Sequence, residues 1–209
     1  MLMILKKWWT LISPKFSLSF DNIIKYEKLM KLKHSVSILS ILVFLGGCSA
    51  SYKQLSIMDD KKPSNFQEHL LTEYKKKATF EAEEMHDWNS AKLYSEKALK
   101  SLKTDKIYPE DISYWKISKE NIKEIRIAYD NLMTIYEEAK NIDPFNLAKA
   151  ISSLDCWSEQ QEENWQTWDI DRCKNDFINA MHNIYEKISD QEKEQENTNE
   201  KENNLENKS

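Results

Sequence analysis

The side chains able to do chemistry in this 209-residue chain are few and scattered. His69, His86 and His182 lie far apart, with no i, i+4 partner to share a zinc ion on one helix face. Glu83 and Glu84 adjoin His86, but consecutive residues of a helix point in diverging directions. Glu159, Glu162 and Glu163, flanked by Trp157 and Trp165, have the residue types of an acid–base pair. Such a pair needs one carboxyl kept protonated and another ionised. Nothing in the sequence buries one and exposes the other, so a solvated helix end is expected. Trp88, Trp115, Trp157, Trp165 and Trp168 could form a shelf for a ligand; at helical spacing, core packing is the ordinary fate of such rings. Gly46 and Gly47 are the only glycines, so the chain after them cannot build a phosphate-binding loop or a nucleophile elbow. No catalytic residue, no metal ligand set and no cofactor is expected.

The elements that would position these groups are helical. Charged residues make up 31% of the chain, with 2 Gly and 4 Pro, a composition short of the punctuation that sheets and tight turns require. Five apolar stripes recur at helical spacing. Ser64 and Gln67 have a capping-box pattern ahead of Phe66, Leu70, Tyr74, Ala78, Ala82 and Met85. Asp87 can cap a second helix carrying Trp88, Ala91, Tyr94, Ala98, Leu99 and Leu102. After a linker with Pro109, Ser118 precedes Ile122, Ile125, Tyr129, Leu132, Tyr136 and Ala139. Asp143-Pro144 opens a fourth helix with Leu147, Ile151 and Leu154, the proline standing at N1 where it costs no hydrogen bond. Ile170, Cys173, Phe177, Ile184 and Ile188 mark the last. The expected fold is all-α, a bundle of about five helices built from hairpins over residues 63–190. The segment DWNSAKLYSEKAL has a tetratricopeptide flavour, but no second copy follows at a period of about 34 residues, so one helix hairpin is expected. Residues 191–209 carry a single Leu, too little apolar surface to offset ordering entropy, and read as a disordered acidic and polar tail.

Ahead of this body, MKLKHSVSILSILVFLGGC runs from Met30 through Lys31, Lys33 and His34 into an apolar stretch from Val36 to Leu45. That is the order of a secretory signal peptide, and its apolar run is about half the ~20 residues of a spanning helix. Leu45-Gly46-Gly47-Cys48 resembles the lipobox of bacterial lipoproteins. The resemblance implies cleavage after Gly47 and a diacylglycerol on the Cys48 thiol, anchoring residues 48–62 as a tether. In that comparison Ser49 favours outer-membrane sorting over inner-membrane retention. Residues 1–29 make the leader longer than a signal requires, so translation is expected to begin at Met30 rather than Met1. Residues 1–47 hold seven Lys against Asp21 and Glu27, leaving 23 basic and 33 acidic residues afterwards, a net of −10. An acidic body does not suit nucleic acid.

The segment SLDCWSEQQEENWQTWDIDRCKNDF, residues 153–177, resembles the N-terminal region of alphaproteobacterial OmpA-family lipoproteins. The resemblance is carried by Asp155, Cys156, Trp157, Glu159, Gln160, Gln161, Glu162, Cys173 and Phe177, with Glu84, Met85, Asp87 and Trp88 similar to a stretch in their first helices. It implies a cell-envelope location. The peptidoglycan-gripping domain that commonly follows in that family has no counterpart here, so peptidoglycan binding is not expected. Cys156 and Cys173 lack the C-x-x-C spacing of redox and zinc sites, and in an exported chain they read as a structural disulfide. The expectation is a lipid-anchored envelope lipoprotein facing the periplasm, held to the membrane through Cys48, with a non-catalytic structural or protein-interaction role and an envelope protein as a possible partner. The alternative is a module that holds a peptide, glycan or lipid in a Trp-lined helical groove.

Overall fold

The chain divides between Gly47 and Cys48 into two units, and the computed structural model describes residues 50–206 of the second. Leu45, Gly46, Gly47 and Cys48, with the expected leader, lie outside the described residues. The described chain is all-α, as its composition predicts. Among the described residues there are six α-helices: α1 Ala50–Ser56, α2 Phe66–Phe80, α3 Trp88–Ser101, α4 Ile122–Ile142, α5 Pro144–Glu163 and α6 Thr167–Glu206. A π-helical turn, Glu81–Met85, continues α2, and a 3₁₀ turn, Ile112–Tyr114, interrupts the linker before α4. Among the described residues no helix is long and apolar enough to cross a membrane.

Local sequence explains the ends. Asp87 caps α3, its Oδ1 accepting from Asn89 N–H at 2.8 Å and Ser90 N–H at 3.1 Å. Asp143 closes α4 and caps α5, accepting from Asn146 N–H at 3.2 Å, with Pro144 following in the first turn. At α2 the cap is Asn65 rather than Ser64: Asn65 Oδ1 accepts from Glu68 N–H at 3.0 Å, while Glu68 Oε2 accepts from Ser64 N–H at 2.7 Å. The cap falls one residue later than the pattern predicts, because Asn and Ser are both good caps, and Glu68 reaches back to Ser64, the residue before the cap, rather than closing a reciprocal box. Two hairpins then turn without glycine, through His86 (φ 57°) and Asn164 (φ 52°) in the left-handed region. Asn tolerates that region better than most residues.

The core forms around α5, which packs against α2, α4 and α6. Its expected stripe of Leu147, Ile151 and Leu154 is buried, and so are Ala148, Ala150, Ser152, Ser153, Asp155, Ser158, Glu159 and Gln160. The sequence predicts one apolar face; the structure surrounds the helix. Small Ala and Ser side chains let neighbours approach, and the hydroxyls satisfy themselves, as Ser158 does by donating to Leu154 O at 2.8 Å. Phe66, Leu70, Tyr74, Ala78 and Ala82 of the first stripe are buried, as are Ile125, Leu132, Tyr136 and Ala139 of the third and Cys173, Phe177 and Ile184 of the last. Trp88 and Leu102, placed on the second stripe, are exposed. The long linker is tied down by the Tyr136 hydroxyl, which donates to Ile107 O at 2.9 Å.

One segment behaves differently from a tether. Residues 48–62 read as polar tether, yet α1 packs on α2 and α3, with Leu55 fully buried and Tyr52 donating to Glu83 Oε1 at 2.7 Å. One leucine and one tyrosine in a polar stretch are too few to register as a stripe, but they suffice for a one-sided contact. At the other end α6 continues as helix to Glu206, and from Asp190 every described side chain is exposed. That stretch has the helix-favouring Glu, Lys and Gln but contributes nothing to the core.

Candidate functional site

Cys156 on α5 and Cys173 on α6 are brought together as a disulfide pair, their Cα atoms 5.6 Å apart and both buried. This is the usual Cα separation of bridged cysteines. The turn between the helices falls at Asn164–Gln166, so each cysteine stands about two turns from it on antiparallel neighbours.

Next to Cys156 in the chain, Asp155 forms a buried polar hub. Its Oδ2 accepts from the Tyr74 hydroxyl at 2.6 Å and pairs with Lys97 Nζ at 2.6 Å, while Oδ1 accepts from Glu110 N–H at 2.7 Å. Lys97 also reaches Glu110 Oε1 at 2.9 Å. Burial and the Asp155 charge hold the Tyr74 hydroxyl well above its ordinary range. α2, α3, the linker and α5 are thus cross-tied through one carboxylate. Its donors are all in place, so this hub holds structure and offers no free valence to a ligand.

A second polar group lies one turn along α5, at the end of the bundle where the two hairpins turn, and it is not satisfied in this way. Oxygens of Asp87, Glu159 and Glu163 lie within 4.8 Å of one another. Asp87 is half-buried, Glu159 buried and Glu163 exposed, so the group opens to solvent on one side. Glu159 Oε2 accepts from the Tyr94 hydroxyl, and its Oε1 is buried with no hydrogen-bond partner. Glu81, supplied by the π-helical turn, is 3% exposed. It has no ion pair or side-chain hydrogen bond among the described residues. Burial, then the charges of Glu159, Asp87, Glu163 and Asp169, push its carboxyl up to about 8. Burial likewise pushes Glu159 up to about 7, against hydrogen bonds from Ser90 and Tyr94. Asp169 is raised by burial and pulled back by Arg172, whose Nη2 lies 2.5 Å from Asp169 Oδ1. Arg172 is further engaged over the Phe80 ring at 4.4 Å. Lys77, the other cation nearby, has its amine lowered by burial.

The sequence expectations meet this arrangement unevenly. Glu159 and Glu163 are not a solvated helix end: α5 buries the first and exposes the second. Glu162 is half-buried, and the 4.8 Å group does not include it. Glu83 is held by Tyr52, and His86 spends its Nδ1 on Ala82 O at 3.3 Å, so neither joins the acidic group. Glu81 and Asp87 went unrecognised. Asp87 was legible only as a cap, and the distance in sequence to Glu159 gives no local signal. The tryptophans divide: Trp115 and Trp157 are buried, while Trp88, Trp165 and Trp168 are exposed. Trp165 Nε1 donates to Glu163 Oε2 at 3.1 Å, setting one exposed ring at the mouth of the acidic group. A cleft of about 460 Å³ beside α2 is lined by Asp60, Lys75, Phe80 and Glu84 among others, and by no tryptophan.

No protein-family model, no curated protein and no solved structure matches this chain. The likeness to OmpA-family lipoproteins therefore rests on the residues quoted from the sequence.

Proposed function

We propose that this chain is a lipid-anchored cell-envelope lipoprotein, in which Cys48 carries the lipid and the helical body serves a non-catalytic structural or protein-interaction role in the periplasm. The observation that carries the reading is Leu45-Gly46-Gly47-Cys48 at the end of a basic and apolar leader. Two features support it. The Cys156–Cys173 pair suits an oxidising compartment. Helix α1 begins at Ala50, two residues after Cys48, so the anchor and the packed body are adjacent in the chain, and the bundle would be held close to the bilayer, that of the outer membrane by the Ser49 argument. The alternative, a ligand groove lined by tryptophan, has less support, because Trp115 and Trp157 are interior.

Cys48→Ser tests the reading. The variant should accumulate as an unlipidated precursor of higher mass and lose its firm attachment to membranes. One acyl chain holds a protein only marginally, whereas the several chains of a lipoprotein resist a salt wash. Normal processing and membrane retention of Cys48→Ser would sink the proposal. Saturable sedimentation of the protein with peptidoglycan sacculi would show a wall-binding role that the reading does not include.

A further inference from the structure

We propose that Asp87, Glu159 and Glu163 bind one divalent cation of the calcium class. The inference is independent of the envelope reading. It begins with donor chemistry: every group is a carboxylate, the ligand type of hard cations, with no thiolate or imidazole to favour zinc. Spacing and number come next. The Asp87, Glu159 and Glu163 oxygens lie within 4.8 Å of one another, close enough to share one ion. Calcium takes about six to eight oxygens in flexible geometry, whereas magnesium keeps several waters and takes about one or two carboxylates, so a set of three carboxylates suits calcium better.

Acidic clusters are common without a cation, and two further observations single this one out. Glu159 is 4% exposed, Tyr94 holds its Oε2 with the Ser90 hydroxyl also close to the carboxylate, and Oε1 is buried with no hydrogen-bond partner. A buried carboxylate oxygen left without a partner is costly, and an ion is one of the few ways to satisfy it. Three carboxylates converge here while Arg172, the guanidinium on α6, is committed to Asp169 and Phe80.

The backbone pre-orients the set. Asp87 is held by two amides through Oδ1, which leaves Oδ2 to a ligand. Glu163 is the exposed member and gives the ion its entry, with water completing the shell.

Chelator-treated full-length protein would be melted in CaCl₂, MgCl₂ and NaCl at matched ionic strength. CaCl₂ should raise the melting temperature by about 3–6 °C at ten times the Kd, more than either control salt. Tb³⁺ supplies a second readout, since Trp165 beside Glu163 is placed to sensitise its emission, and Ca²⁺ should displace it. Asp87→Asn keeps a good cap, and Glu163→Gln alters an exposed side chain, so both should fold, as circular dichroism would verify. Each should weaken binding tenfold or more. An unchanged melting temperature in 10 mM CaCl₂, or an equal response from both variants, would overturn the site. An equal response to MgCl₂ would overturn the assignment to calcium.

Discussion

Lys97 Nζ lies 2.6 Å from Asp155 Oδ2, a buried ion pair that joins α3 to α5 across 58 residues of sequence. Asp155 also holds the Tyr74 hydroxyl and the Glu110 amide, so four segments of the fold meet at one side chain. Asp155→Ala would leave the lysine charge, a hydroxyl and an amide without their partner. Removing one member of a buried pair costs about 3–5 kcal/mol. Urea unfolding should show a loss of that order, whereas Lys97→Met, which keeps the apolar stem and leaves Asp155 two donors, should lose less. Equal and small losses would mean that solvent reaches the hub.

The acidic group at the bundle end predicts a pH dependence opposite to that of most salt-bridged carboxylates. Glu81, at about 8, and Glu159, at about 7, lie above the ordinary value of 4.5, so the folded state binds more protons than the unfolded one between these limits. Their contribution is fully present below pH 4.5 and is lost as pH rises through 7 to 8. In chelator, stability should therefore fall between about pH 5 and 8.5, by on the order of a few kcal/mol. Glu68, Asp105 and Asp111 are lowered by hydrogen bonds from Ser64, Lys140 and Ser113 and act only in the acid range. Glu81→Gln should flatten the fall between pH 5 and 8.5 and raise the melting temperature at the alkaline end. A profile that rises with pH in wild type would contradict the burial of these carboxyls.

Reduction should weaken the α5–α6 hairpin. Bridging Cys156 to Cys173 closes a 17-residue separation, worth about 3 kcal/mol in the chain-entropy account. Intact mass with and without reductant, after thiol alkylation, should show two blocked thiols that become free. The reduced protein, or Cys173→Ser, should melt several degrees lower. Two thiols alkylated at once in protein taken from an oxidising compartment would refute the bridge.

Most of the fold was legible because helix stripes, caps and the proline at 144 are local signals. The cysteine pairing followed from two cysteines without C-x-x-C spacing in a chain read as exported. What escaped was anything set by a partner distant in sequence. Glu159 looks solvated among its neighbours Gln160 to Glu163, and its burial follows from Tyr94 and Ser90 reaching across from α3. α5 was read as amphipathic because its serines count as polar, although in a crowded interior they bond back to their own helix and pack like alanine. Glu81 carries no cue at all: its burial comes from the extra residue in the π-helical turn, which no stripe predicts.

The segment before α2 gives the last test, since a tether and a packed helix respond differently to truncation of one side chain. Leu55 is 0% exposed against α2 and α3, while Ile57, two residues on, is 77% exposed. Leu55→Ala removes buried methyls and leaves a cavity, at a cost of about 2–4 kcal/mol. Ile57→Ala changes an exposed side chain and should stay within about 0.5 kcal/mol of wild type. Tyr52→Phe should cost about 1 kcal/mol, since its hydroxyl donates to the half-exposed end of Glu83 rather than to a sealed site. Thermal melts of the three variants decide the matter. If Leu55→Ala and Ile57→Ala melt together near wild type, residues 50–56 do not pack on the bundle and behave as the free tether that their polar sequence predicts.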